Sequence, residues 1–323
     1  MRSLRWVLAG VALAAAVRGS SAGADGELQQ EHRWVSRVVL DELLRCPGGQ
    51  EWRRLGKRLQ EAALARLACG RNDELTDLID MVYAVRACEY LPVLAQADGG
   101  GEPARWLLEH RDVSRLLFRA LDETKEPAEA LGRFAALYAA EARTILAYPD
   151  LAVAFATAEP LVHYRRQPVP ADLLASFRYY TDPDRSFRHD LKALPYELLH
   201  YLADTRANIA ERQWAAETYR RKDPLRAYFH FRYDDAHFET GRAKKIDSVP
   251  YSLPNLARFG GVCLDQAYFA AEVCKATGIP AALVHGRGGE GVEHAWCAYC
   301  RLTPGGADGP RATWTSRTGR YQG

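Results

Sequence analysis

The feature that most constrains the fold of this chain is an abrupt change of pattern at Asp234. Over residues 31–232 apolar side chains recur at spacings of one, three and four, as in helices that bury one face. Trp34, Val35, Val38, Val39 and Leu43 set the theme, and Leu55, Leu59, Ala62, Ala63 and Leu67 repeat it. Asp73 is placed to cap a helix through Leu75, Leu78, Met81, Val82 and Val85, which Pro92 should end or kink. Gly99, Gly100 and Gly101 read as a loop, and further helices are expected over 104–110, 113–121, 127–147, 150–158, 171–180 and 195–221. No sequence period is strong enough to define a repeat.

After Asp234 the helical rhythm stops. Pro250 and Pro254 break it, Gly260 and Gly261 prepare a tight approach, and one amphipathic helix follows over 262–277. Gly278 should stop that helix as the residue after its C-cap. Residues 281–284 and 295–302 read as strands, with a third over 313–316. A helix followed by antiparallel strands is an α+β unit. The expected organisation is therefore a mainly α-helical domain over 25–233 and an α+β domain over 234–323, which 323 residues are enough to build.

Residues 1–24 read as an export signal. Arg2 and Arg5 precede an apolar run over 6–17, and Ala22-Gly23-Ala24 has the small-x-small pattern of a cleavage site. The run is shorter than the ~20 residues a spanning helix needs, and charges interrupt every later candidate. The expectation is export to a periplasmic or cell-surface space without a stable membrane span. Lys and Arg total 43 against 41 acidic residues, interspersed as in Glu51-Trp-Arg-Arg, so nucleic acid is not an expected partner. The aromatic run from Tyr228 to Tyr233 lacks a basic groove and reads as a helix end or packing surface. His163, His189, His200, His230 and His237 show no spacing of a metal site, and no cofactor is expected. Of the seven cysteines, Cys69 and Cys88 sit in apolar helical patterns as small hydrophobes, and at most one disulfide is expected among Cys46, Cys69, Cys88, Cys274, Cys297 and Cys300.

The chemistry concentrates at Cys263 and His294. Cys263 follows two glycines and opens a helix, where orphan N–H groups and the dipole favour a thiolate. Cys274, three turns later, is the buried structural kind. His294 begins a strand after the Gly-rich stretch from Gly286 to Gly291, and a histidine there can face a helix start across a cleft, as a nucleophile–base pair requires. Trp296 should share its face and shield the pair. Asp265 in the first turn suits the dipole, a structural role. The Cys263 N–H and the Asn255 side chain are candidate oxyanion donors. A zinc site at His294, Cys297, Cys300 and Cys263 is the rival, but on a strand Cys297 points away from His294 and Cys300.

The run GGVCLDQAYFAAEVCKATGIPAALVHG followed by HAW resembles the transglutaminase-like superfamily over residues 250–299. The resemblance implies a papain-like α+β core with a Cys-His-Asp triad, in which Cys263 is the nucleophile and His294 the base. It implies thiol acyl transfer on amides of a protein or peptide substrate, by cross-linking or hydrolysis. The chain departs from the family at the third residue: Trp314 fits the family tryptophan, but Thr315 to Gly323 hold no carboxylate, and Asp308 precedes it in a Gly/Pro-rich turn. The expectations are a C-terminally incomplete core or a degraded triad. The alternative function is a non-catalytic binding module at the cell surface.

Overall fold

The computed structural model describes residues 75–98, 101–158, 172–287, 291, 293–303 and 311–317, together with Lys57, Gln60 and Glu61. The export signal, the helices expected around Trp34 and Leu55, and Cys46, Cys69, Asp73, His163 and Asp308 lie outside these residues, apart from helical backbone at Lys57, Gln60 and Glu61. The chain is mostly helical with a small antiparallel sheet near its C-terminal end. It divides into two compact units between Ala139 and Ala140.

The first unit contains α1 (Leu75–Asp98), α2 (Glu102–Glu109), α3 (Arg111–Glu123) and the start of α4 (Pro127–Ala147). Leu91, Leu94, Leu107, Leu117, Phe118, Leu121 and Phe134 form its core, all almost wholly buried. Pro92 does not end α1, which runs on to Asp98. Leu91 and Leu94 on either side are buried, and packing of an apolar face outweighs one lost backbone bond. Within α4 the backbone at Glu141 leaves helical geometry (φ −141°, ψ 30°).

The second unit carries the sheet and begins well before the change of pattern at Asp234. Its helices are α5 (Pro149–Thr157), α6 (Leu173–Thr181), α7 (Tyr196–Ala203), α8 (Ile209–Thr218), α9 (Ala227–His230), α10 (Asp235–Thr240), α11 (Leu253–Phe259) and α12 (Cys263–Ala276). The strands β1 (Ala281–Arg287), β2 (Glu293–Thr303) and β3 (Arg311–Arg317) pair antiparallel in that order. The single helix expected over 195–221 is in fact two. Asn208 caps α8 in a reciprocal box with Glu211, and the buried Glu272 carboxylate of α12 accepts from Thr205 Oγ1 and the N–H groups of Arg206 and Ala207. Those amides are drawn out of a helix by a partner distant in sequence.

α12 is the hub of this unit. Its buried face shares one apolar cluster with Tyr228, Phe231, Leu253 and Leu256, and with Ala281, Ala295, Cys297 and Tyr299 of the sheet. Tyr179 and Tyr180 of α6 donate to the carbonyls of Ala276 and Lys275 at its last turn. Its C-terminus is a Schellman motif: Ile279 N–H bonds Cys274 O and Gly278 N–H bonds Lys275 O. Gly278 has φ 80°, and a β-carbon there would lie 2.6 Å from Phe187 Cβ, so the expected glycine stop is present and enforced.

Candidate functional site at the start of α12

Cys263 is the first residue of α12. It is half-buried, whereas Cys88, Cys274, Cys297 and Cys300 are buried; all five carry free thiols. Burial pushes the Cys88 thiol up to about 12 and raises Cys300 as well. Cys274 is raised by its hydrogen bond with Cys297 and by burial. Cys88, Cys274 and Cys300 are therefore poor nucleophiles at neutral pH.

The chain reaches Cys263 by a path only glycine can follow. Gly260 has φ 74°, and a β-carbon there would sit 2.1 Å from the Arg232 carbonyl oxygen. Gly261 N–H donates to that carbonyl at 3.1 Å, Asp234 N–H donates to Gly261 O at 2.8 Å, and Tyr233 and Gly261 form a parallel bridge. The expected tight approach is thus a two-stranded strap that fixes the start of the helix.

Asp265 completes the fixing. Its carboxylate is fully buried and accepts from Val262 N–H at 3.0 Å, Lys244 Nζ at 2.8 Å and Tyr251 Oη at 2.9 Å. The N-cap is Val262, whose side chain cannot accept, so only the reciprocal half of a capping box is made. With three donors on its two oxygens, Asp265 has the structural role expected of it.

Gln266, one turn after Cys263, donates through Nε2 to the Tyr228 carbonyl at 2.8 Å and ties α9 to α12. The Tyr228 hydroxyl is buried without a hydrogen-bond partner. Burial raises its pKa, and the nearby Cys263 and Cys297 thiols add to the shift. Sequence reasoning passed over this phenol, since an aromatic run gives no sign of which ring carries an unsatisfied hydroxyl. Asn255 Nδ2 donates one of its two hydrogens to the Pro250 carbonyl at 2.8 Å.

His294 is the first buried residue of β2, 6% exposed, and its register partner is Gly286. Gly286 therefore belongs to β1 and not to a loop. A β-carbon on it would lie 2.8 Å from the Trp296 ring. The His294 and Trp296 rings share a face, 6.2 Å apart. The short turn through Gly278 and Pro280 sends β1 back along α12, and the hairpin opens β2 opposite the end of β1. His294 and Cys263 consequently lie at the same end of the helix–sheet layer. By alternation Ala295, Cys297 and Tyr299 face α12, while His294 shares the parity of Trp296, Ala298 and Cys300. Trp314 of β3 pairs with Cys300 and meets the Tyr201 ring edge-on at 4.7 Å.

No known family, curated protein or solved structure matches this chain.

His189 and His200 engage local partners, Cys300 O and Thr157 Oγ1, and burial lowers the pKa of both rings. Among the described residues no three His, Cys, Asp or Glu side chains are grouped to hold a metal ion, and no helix is long and apolar enough to cross a membrane.

Proposed function

We propose that Cys263 is the nucleophile of a transglutaminase-like, cysteine-dependent acyl transfer on amides, with His294 as its base. The observation that carries this reading is the exposure and placement of one thiol: Cys263 opens α12 on a strap of glycines, while the other described thiols are buried. His294 lies at the same end of the layer but on the strand face opposite the residues that pack on α12, so its role as base rests on the family resemblance and not on a contact with Cys263. In the reaction the Cys263 sulfur attacks the amide carbon, and the C–N bond breaks. His294 takes the thiol proton and delivers it to the leaving amine. Water or a second amine then attacks the thioester, giving hydrolysis or cross-linking and restoring the thiol.

Iodoacetamide at about pH 6, with the adduct located by mass spectrometry, tests the reading. Cys263 should be alkylated well before Cys88, Cys274, Cys297 and Cys300. His294→Ala should slow that alkylation by on the order of tenfold or more while leaving the circular dichroism unchanged. A Cys263 that reacts no faster in the native protein than in the unfolded chain, or an inert His294 substitution, would favour a binding module on the same fold.

A further inference from the structure

An open cavity of about 360 Å³ lies beside the strap that leads into Cys263, lined by Arg232, Tyr233, Asp234, Lys245, Arg258 and Phe259. Arg232, Lys245 and Arg258 are exposed cations. Among the described residues none of the three forms an ion pair, whereas Arg242, Lys244 and Lys275 do. The one carboxylate in the lining is already engaged: Asp234 accepts from Arg242 Nη2 at 3.4 Å and from Lys245 N–H at 3.3 Å. Burial pushes its carboxyl up, but those hydrogen bonds and the charges of Arg242 and Lys245 outweigh burial and hold it below the ordinary range. Asp234 is thus ionised and hydrogen-bonded to Arg242, with Lys245 as a second nearby charge, and the lining holds three cations against this one carboxylate. Tyr233 and Phe259 add ring faces, and the Arg258 guanidinium lies over the Phe259 ring at 5.0 Å.

The cavity is joined to the start of α12 by backbone contacts. Arg232 O receives the Gly261 N–H, Asp234 N–H bonds Gly261 O, and Tyr233 bridges Gly261, two residues before Cys263. Whatever binds there is held against the segment that positions the thiol.

We propose that this cavity holds a carboxylate-bearing segment of the substrate, so that the amide presented to Cys263 belongs to an acidic peptide. The inference rests on the acyl-transfer reading of Cys263 for its word "substrate", but the binding itself does not. A cleft lined by one sign of charge concentrates ligands of the opposite sign, and the arginine fork matches a carboxylate with two parallel bonds. The ring faces suit the apolar stem of a peptide side chain better than a bare inorganic ion.

The test is fluorescence anisotropy of a rhodamine-labelled tetraglutamate peptide at low salt, with tetraglutamine as control. Tetraglutamate should bind the full chain and tetraglutamine should not. Arg258→Gln should weaken binding about tenfold and Lys245→Gln by less, both being exposed positions where the fold tolerates change. Cys263→Ala should leave the affinity unaltered. Equal binding of tetraglutamine, or unchanged affinity in both cation variants, overturns the proposal. Displacement by inorganic phosphate as effective as by unlabelled tetraglutamate also overturns it, since the cavity would then be a general anion site. Retained tetraglutamate binding with an inert Cys263 removes the acyl-transfer reading alone and leaves a peptide-binding cavity.

Discussion

A single glycine shapes the approach to Cys263 by what it lacks. Gly260 has no β-carbon to strike the Arg232 carbonyl 2.1 Å away, and it holds φ 74°, a region L side chains rarely adopt. Gly260→Ala should therefore destabilise the second unit by about 2 kcal/mol or more, read as a lower urea midpoint, through both strain and clash. A midpoint unchanged within error would mean that the strap relaxes freely and does not position Cys263. Tyr228 is the converse case. Its ring fills the core beside α12 while its hydroxyl finds no partner, a polar atom retained at a cost of roughly 1–3 kcal/mol.

At the level of the element, α12 is held by charges that no surface helix would carry. Asp265 meets Lys244 and Tyr251 at its start, and Glu272 and Asp204 meet Lys275 near its end. Glu272 is fully buried; burial pushes its carboxyl up, yet Lys275 together with the Thr205 and Ala207 donors outweighs burial and lowers it. For Asp204 the balance falls the other way, burial outweighing Lys275, and its carboxyl is raised. The two directions differ because one ammonium faces two carboxylates, and only Glu272 also has backbone donors. The signs follow from linkage. A lowered folded value makes Glu272 stabilising above its unfolded value of about 4.3, and this contribution is lost as pH falls through the lower folded value. A raised value makes Asp204 favour the protonated form, so its contribution is present at low pH and lost as pH rises. Glu272→Gln should accordingly be destabilising at neutral pH, and its gap from the natural chain should narrow on acidification below about pH 4. Urea unfolding at neutral and acid pH measures this, and a gap that is constant or widens would mean that Glu272 is not ionised in the folded state.

Across the whole molecule the buried thiols report on the two units separately. Cys88 lies in the core of the first unit, while Cys274 and Cys297 touch each other in the core of the second. With Cys263 blocked beforehand, labelling in rising urea should expose Cys274 and Cys297 together, since one apolar cluster holds both and its loss is cooperative. Labelling of Cys297 well before Cys274 would show that the sheet leaves α12 before the core melts. Cys88, in the core of the first unit, reports on the unfolding of that unit.

The sequence alone determined most of what is local. Helix existence followed from the spacing of apolar residues, as at α4, where expected and observed bounds coincide. The stop at Gly278, the glycine approach to α12 and the three strands were legible because turn chemistry and alternation act over a few residues. The hairpin brings His294 to the same end of the layer as Cys263, on the strand face opposite the residues that pack on α12. What only the tertiary structure decided is how distant groups compete for the same backbone. Pro92 stays inside α1 because buried neighbours outweigh one lost bond, and the helix expected over 195–221 breaks because Glu272 claims the amides of Arg206 and Ala207. The cationic cavity beside Cys263 was equally invisible, since Arg232, Lys245 and Arg258 come from three separate segments. Periodicity reports which face of an element is buried, whereas the partner that satisfies a buried charge or leaves a surface charge unpaired is fixed only when the chain closes on itself.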